Sequence, residues 1–388
     1  MSPTRPLKPI RIACAAALLA APFAPNARAD RTFETWIQKF DSGVSNSPSV
    51  NAVAVDRRGD VAITGYTYTV GGKQVYYTAK YDGLSGARLW QRTYDGGASN
   101  GSSEANSVAM DSNGNVIVTG EADVTSISGD IVTIKYNSAN GDDVWASPVI
   151  YDANDGTDVG VKVVVDSANN VIITGRSAGD GTNNDIYTAK YFGTNGGLDW
   201  EKRYNFPTNR SDEPVDLTVD SDNNAIVAGL ADISSETKMV TLRYESAEGA
   251  ETLNRTFFDN SDGSSFFGAK AVTVDQNDNI ITTGLVPIAA GSYSLYTIKY
   301  DGTPGNQNNT PLWQKLFPLP VSGSTLPADV ATDSAGNVIV AGSSEVDNLT
   351  DTIHFIKYAA SNGAQLQERF TAAPGGDDVL TALEVDGA

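Results

Sequence analysis

Cysteine and histidine are nearly missing from this chain: 388 residues hold one of each, Cys14 and His354. Cys14 lies in a leader-like N-terminal segment, so the rest of the chain has no disulfide staple and no thiol for chemistry. A single histidine builds neither a nucleophilic relay nor a histidine metal site. His354 stands inside the apolar run DTIHFIKY, where it reads as a packed or surface residue rather than a general base. Long apolar runs are absent after the first residues. No stretch beyond the leader keeps a 3.6-residue apolar period, which predicts almost no helix. Positive charge is scarce as well: 27 Lys and Arg face 47 Asp and Glu, for a net charge of −20. Such a surface repels nucleic acid and anionic membrane, and favours cations, basic partners or neutral sugars. The acids are spread along the chain rather than clustered, as solubility alone would require.

Residues 1–29 carry the marks of a secretory signal peptide: Arg5, Lys8 and Arg11, the apolar stretch Ile12–Ala21, then Ala27-Arg28-Ala29 before Asp30. Arg11 occupies a place where a lipoprotein signal needs an apolar residue, so Cys14 is not read as a lipid anchor. The expectation is an exported protein, secreted or periplasmic, with residues 30–388 as its single repeat domain and no membrane insertion after cleavage. Losing the four basic residues of the leader and no acidic one takes the net charge from −20 to −24.

What is abundant is repetition. An Asp closing a short apolar run recurs as Asp56, Asp111, Asp166, Asp220, Asp275, Asp333 and Asp386, at steps of 53 to 58 residues. Nine residues after each Asp but the last, a Gly ends a β-branched run: Gly65, Gly120, Gly175, Gly229, Gly284 and Gly342. A basic residue and a Tyr follow: Lys80-Tyr81, Lys135-Tyr136, Lys190-Tyr191, Arg243-Tyr244, Lys299-Tyr300 and Lys357-Tyr358. Last comes a large apolar residue with an aromatic four positions on, as in Trp90/Tyr94, Trp200/Tyr204, Leu253/Phe257, Trp313/Phe317 and Leu366/Phe370. Trp36/Phe40 is an extra copy at the start, and Trp145 has its aromatic displaced to Tyr151.

Each unit reads as four short strands with turns rich in Gly, Asn, Asp and Ser. In the first unit these are Asn51–Asp56, Val61–Thr69, Gln74–Asp82 and Leu89–Tyr94. First strands are narrow throughout (AVAV, SVAM, KVVV, DLTV, AVTV, DVAT), whereas fourth strands carry the Trp and Tyr. Narrow strands suit a crowded axis and wide ones the diverging periphery, which predicts an all-β propeller of four-stranded blades around a channel. Six repeats of about 55 residues are complete, and a partial seventh is split between the chain ends: a fourth strand at Thr35–Phe40 and a first strand at Val379–Val385. A six-bladed ring with two stray strands is the alternative. An unclosed ring would leave bare sheet edges.

The turns after each Asp are DRRGD, DSNGN, DSANN, DSDNN, DQNDN and DSAGN. Asn and Gly accept positive φ there, and the leading Asp bonds back to the backbone. Three of them satisfy D-x-[DN]-x-[DN], so Asp111, Asn113, Asp220, Asp222, Asp275 and Asn277 are candidate calcium ligands. The Glu expected at position twelve of a calcium loop is missing from each, which favours turn chemistry.

D-x-x-G-N-V-x-V-T-G followed by D-I-x-x-x-K-Y resembles the bacterial SBBP-type β-propeller repeat, over essentially all of 50–388. The unit at 215–257 departs, with Arg243 for Lys and Leu253 for Trp. The resemblance implies export, the propeller fold and a binding or scaffolding role. It carries over no catalytic residue and no cofactor.

Three functions stay open. The first is a binding or scaffold module for a protein or polysaccharide, with no catalysis. The second is an extracellular glycan hydrolase or lyase using axial carboxylates. The third is a quinone-dependent dehydrogenase, which would show calcium and a stacked Trp. Gly86-x-x-x-Trp90 and Gly196-x-x-x-Trp200 look like the Trp-docked blades of such enzymes, although the adjacent cysteine pair is missing. Specificity is expected in the least repetitive segments, between second and third strands: 66–73, 121–129, 177–184, 231–237, 285–291 and 343–350. The sequence leaves the oligomeric state open.

Overall fold

The structure, a computed structural model, describes residues 36–38, 47–98, 101–124, 128–153, 156–179, 183–232, 237–257, 268–289, 292–303, 310–317, 325–347, 350–372, 380, 382–383 and 385. Every regular element among them is a strand, and the strands form six four-stranded sheets in succession. The first sheet comprises Ser49–Val55, Val61–Tyr68, Gln74–Tyr81 and Arg88–Tyr94, within a residue or two of expectation. The second comprises Ser103–Met110, Val116–Ala122, Asp130–Tyr136 and a short Val149–Tyr151. Neighbouring strands run antiparallel in chain order. Contacts divide the chain into two units, Ala27–Asp180 with Thr188–Asp199 and Gly181–Tyr187 with Trp200–Ala388. The features below are described within one unit or the other.

Second and third strands are buried on both faces, Val116–Ala122 and Asp130–Tyr136 almost without a break. The polar members of the alternating third strand therefore do not meet water. Instead Thr64 and Thr78 share a hydrogen bond at 3.1 Å, as do Thr119 and Thr133 at 3.0 Å. Such pairing is what keeps a hydroxyl inside a packed layer from being costly. In the first unit, Ala62, Tyr76 and Trp90 of one sheet pack on Val116, Val118, Val132, Ile134 and Tyr136 of the next. In the second, Ala271, Ile281, Leu295 and Trp313 pack likewise on Val338, Val340, Ile356 and Tyr358.

Two recurrent glycines have steric reasons. Each first strand bulges opposite the repeat Gly inside the second strand, in the second sheet between Ala105, which faces Gly120, and Ser107. A Cβ on Gly120 would stand 2.1 Å from the Glu104 carbonyl oxygen. In the turn before the fourth strand, Gly141 has φ +72° and lies under the Trp90 ring of the preceding sheet, where a Cβ would meet the ring at 2.7 Å. Trp90 then donates through Nε1 to the Ser138 carbonyl at 3.1 Å. The same bond recurs from Trp145 to Gly193, Trp200 to Ser246 and Trp313 to Ala360.

The sixth sheet corrects one sequence assignment. Lys357 pairs with Gln367, where Lys80 pairs with Trp90 and Lys299 with Trp313. Gln367, not Leu366, thus occupies the Trp place. The connection before this fourth strand has the same length as in the first sheet, so Leu366 stands one residue before the Trp place and the apolar pair Leu366/Phe370 falls on the other face, 56% and 68% exposed.

Each chain-end segment docks on its own neighbouring sheet, although its described residues carry no strand pairing. Trp36 donates to the Gly83 carbonyl at 3.0 Å and covers Gly86, repeating the Trp90–Ser138–Gly141 arrangement. At the other end the Leu383 N–H donates to Asp329 Oδ2 at 2.8 Å. That matches Val272 N–H to Asp216 Oδ2 at 2.9 Å, where a first strand settles on the preceding sheet. The remainder of 35–40 and 379–385 lies outside the described residues.

Candidate functional site

Each sheet has two ends, one bearing the Asp-headed turns and the other the second-to-third-strand segments and the links between sheets. Calcium candidates belong to the first. Asp111 Oδ1 accepts the N–H groups of Asn113 and Asn115, both at 2.9 Å, and Oδ2 accepts from Asn115 Nδ2 at 2.8 Å. Lys135 Nζ closes the set at 2.9 Å from Oδ2, with both side chains buried. Asp220 takes the N–H groups of Asp222 and Asn224 and pairs with Arg243 at 2.6 Å. Asp275 takes those of Asn277 and Asn279 and pairs with Lys299 at 2.6 Å. Asn113, Asp222 and Asn277 thus contribute backbone N–H groups, and the cation facing each carboxylate is a side chain of the protein. Burial alone would raise the acids, but the bonds from Lys135 and Asn115 hold Asp111 below the usual carboxylate range, and those from Asn279 and Lys299 do the same for Asp275.

The basic–Tyr motif therefore has its charge partner in the Asp of the same sheet, 24 residues earlier except for Arg243, which follows Asp220 by 23. Lys80–Asp56, Lys190–Asp166 and Lys357–Asp333 complete the series. Four of these cations also reach a backbone carbonyl of the following sheet: Lys80 to Gly114, Lys135 to Gly193, Arg243 to Gly302 and Lys299 to Ala360. His354 is packed as expected. It lies between Phe317 and Phe370 at 6.0 Å from each ring, with neither ring nitrogen hydrogen-bonded and burial lowering its pKa.

Acids gather differently at the opposite end of the first unit. Asp130 opens the third strand of the second sheet, and Asp152 and Asp158 belong to the link that follows that sheet. One carboxylate oxygen from each lies within 4.8 Å of the other two, with Asp130 and Asp158 buried and Asp152 exposed. The link is folded back by Asp158, whose Oδ2 accepts the Ala153 N–H at 2.7 Å and whose own N–H donates to the Gly129 carbonyl at 2.7 Å. Asp123 stands nearby, held by the Ser102 N–H at 2.7 Å. Burial first, then the charge of Asp152, pushes the Asp130 carboxyl up to about 6, with Asp158 and Asp123 adding and a backbone bond from Val124 opposing. Three hard oxygen donors so close together can hold a metal ion.

A related group lies in the second unit. Asp212 Oδ2 accepts the Phe206 N–H at 2.6 Å, repeating the fold-back of Asp158. Its carboxyl is pushed up to about 6 by burial, with Asp185 and Asp232 adding. Here arginines offset the charge, Arg203 on Asp185 at 2.9 Å and Arg210 on Asp232 at 3.5 Å. Sequence reasoning missed both groups. A signal existed: Asp158 and Asp212 each stand eight residues before the repeat Asp, and Asp130 and Asp185 five before the repeat Lys. Of the variable segments, 125–127, 180–182, 233–236, 290–291 and 348–349 lie outside the described residues.

No protein-family model matches the sequence, and neither does any curated protein. Solved structures do. The polysaccharide lyase Uly1 aligns with TM-score 0.50 and 11% identity, over 92% of this chain and 88% of that one. BamB from Moraxella catarrhalis aligns with TM-score 0.47 and 15% identity, over 87% and 80%. The quinohemoprotein alcohol dehydrogenase ADHIIG from Pseudomonas putida HK5 aligns with TM-score 0.46 and 11% identity, over 85% and 60%. At such identities the likeness shows the fold alone: six successive four-stranded antiparallel sheets of β-propeller type.

Proposed function

We propose that this β-propeller is an exported binding module that recognises a protein or polysaccharide partner through the end bearing the second-to-third-strand segments. The observation carrying the reading is a division of labour between the two ends. At the turn end the recurrent Asp, Lys or Arg, Trp and Gly are engaged in joining one sheet to the next. At the other end the charged residues recur in only some of the repeats, the segments differ from sheet to sheet, and the first unit gathers Asp123, Asp130, Asp152 and Asp158. Varied loops on a uniform frame are how a scaffold presents recognition. Calcium held by Asp130, Asp152 and Asp158 would tie Asp152 and Asp158 to the start of the third strand and offer an open coordination position to a sugar hydroxyl or a partner carboxylate.

A melting screen of the protein against calcium, EDTA and a panel of bacterial and plant polysaccharides tests this, because a ligand that binds only the folded state raises the melting temperature. A rise with one saccharide class, lost when segments 121–129 and 177–184 are exchanged for the first sheet's 66–73, supports the reading. Exchange of those segments with no change in any partner's binding removes it. Glycan hydrolysis or lysis is the second reading, favoured by one observation: a buried Asp130, raised to about 6, has a carboxylate oxygen within 4.8 Å of one from the exposed Asp152, two neighbouring carboxyls in unlike surroundings as acid–base pairs have. Turnover of a bound polysaccharide, abolished by Asp130→Asn, would select it.

A further inference from the structure

The joint between the fifth and sixth sheets lacks side chains that fill the same place in other joints. In every Asp-headed turn the fourth residue is Asn, Asp or Gly. Where it is Asn169, its Oδ1 accepts the Ser112 N–H from the turn of the preceding sheet at 2.9 Å. Asp278 accepts the Ser221 N–H in the same way, also at 2.9 Å. Where it is Gly114, Arg58 of the preceding sheet takes the space instead. Its Nη2 donates to Ser138 Oγ at 3.1 Å, and a Cβ on Gly114 would stand 2.6 Å from it. The sixth turn has neither device. Gly336 has φ +73°, and a Cβ there would come no nearer than 3.6 Å to any neighbour. Asn277 stands in the Arg58 place, and Ala360 in the Ser138 place.

A cavity of about 280 Å³ results, lined from the fifth sheet and its turns by the Asp275–Lys299 pair, Gln276, Asn277 and Leu312. Two donors border it with nothing to bond. Lys80 Nζ donates to Asp56, to the Gly114 carbonyl and to Ser138 Oγ. Lys299 keeps Asp275 and the Ala360 carbonyl, and among the described residues it has no third acceptor. The Gln276 N–H, counterpart of the bonded Ser112 and Ser221 groups, has no acceptor among them either.

Charge narrows what such a cavity takes. Asp275 is already met by Lys299 and by the N–H groups of Asn277 and Asn279, so it has nothing left for a metal ion. An anion would lie beside that carboxylate, on a chain with 47 acidic and 27 basic residues. A neutral hydroxyl accepts from Lys299 or the Gln276 N–H and donates to Asn277 Oδ1, while Leu312, 50% exposed, offers an apolar side to C–H groups. Small-molecule clefts start at roughly 300 Å³, so this one admits a single ring rather than a length of chain. We propose that the cavity between the turn ends of the fifth and sixth sheets binds one neutral pyranose, free or as the end of a glycan. The site is additional to the recognition proposed for the second-to-third-strand segments.

The methyl glycosides of glucose, galactose, mannose and rhamnose are the probes, titrated into the full chain by calorimetry. Saturable one-to-one binding of at least one is expected. Gly336→Asn places in the cavity the side chain that Asn169 has in its own joint. It should weaken binding about tenfold or more while the melting temperature without sugar holds or rises, a combination that misfolding cannot produce. Asn277→Ala, at an exposed position, should weaken binding about 3- to 10-fold, as loss of one hydrogen bond does. A trisaccharide of the same sugar bound at least as tightly supports a glycan end, and its exclusion supports the free sugar. No saturable binding, or binding that neither substitution changes, overturns the proposal. So does sugar binding that is kept in Gly336→Asn and lost when segments 121–129 and 177–184 are exchanged, which would place the sugar at the other end.

Discussion

An ionised carboxylate with no water around it needs donors, and the acids of this chain divide by whether they have them. Asp111 has two turn N–H groups, an amide and an ammonium, and its pKa falls. Asp130 is equally hidden, yet its largest influences are burial and the charge of Asp152, and its pKa rises to about 6 from 3.8. The sign of the linkage follows. A carboxyl whose folded-state pKa lies above its unfolded value lends stability below about pH 4, and loses it as pH climbs through 6. Asp130→Asn keeps the shape and removes the charge. It should raise stability at pH 8 by up to roughly 3 kcal/mol, the equivalent of about two pKa units, and change little at pH 4. Melting curves of both proteins at the two pH values, without divalent ions, check it. An equal effect at pH 4 and pH 8 would mean that the carboxyl is not what burial makes costly.

At the scale of the element, the joint between sheets is a fixed kit: an Asp-headed turn, a buried basic residue reaching across, a Trp, and the Gly beneath its ring. Gly59 and Gly141 separate the backbone cost of a glycine from its steric cost. Both have positive φ, +86° and +72°, but a Cβ on Gly59 meets nothing within 4 Å, whereas one on Gly141 meets the Trp90 ring at 2.7 Å. Gly59→Ala should therefore cost about 1 kcal/mol for left-handed backbone alone, and Gly141→Ala about 2–4 kcal/mol because the Trp must also move. Denaturant melts with near-ultraviolet circular dichroism measure both, and the Trp signal should change only in the second. Equal costs would leave the ring contact without weight. The kit was legible in the sequence because its parts recur in one order, and so were the strands. The Leu366/Phe370 reading failed because the ten-residue spacing from the repeat Lys puts Gln367 in the Trp place, while an apolar pair with the right internal spacing sits one residue before it, on the opposite face of the strand. The acids at the other end were not legible as a group. Asp123, Asp130, Asp152 and Asp158 come from a strand end, a strand start and a link, and only folding brings them together.

On the scale of the whole molecule, 47 acidic residues against 27 basic ones set up a self-repulsion that general salt relieves. The five buried Asp–Lys and Asp–Arg pairs respond little to salt, since counterions do not reach them, whereas Asp333–Lys357 is partly exposed. A rise of melting temperature with sodium chloride thus reports surface repulsion and says nothing about a site. Calcium chloride at matched ionic strength separates the two effects, because a bound ion adds a saturable increment to the screening. The triad requires that increment, about 2–3 kcal/mol at a hundredfold excess over the dissociation constant. It should disappear in Asp158→Asn while the sodium chloride response stays unchanged. The same increment surviving in Asp158→Asn but lost in Asp111→Asn would return the ion to the D-x-[DN]-x-[DN] turns. For that, Lys135 would have to leave its carboxylate, and its exposure to acetylating reagents would rise only when calcium is present.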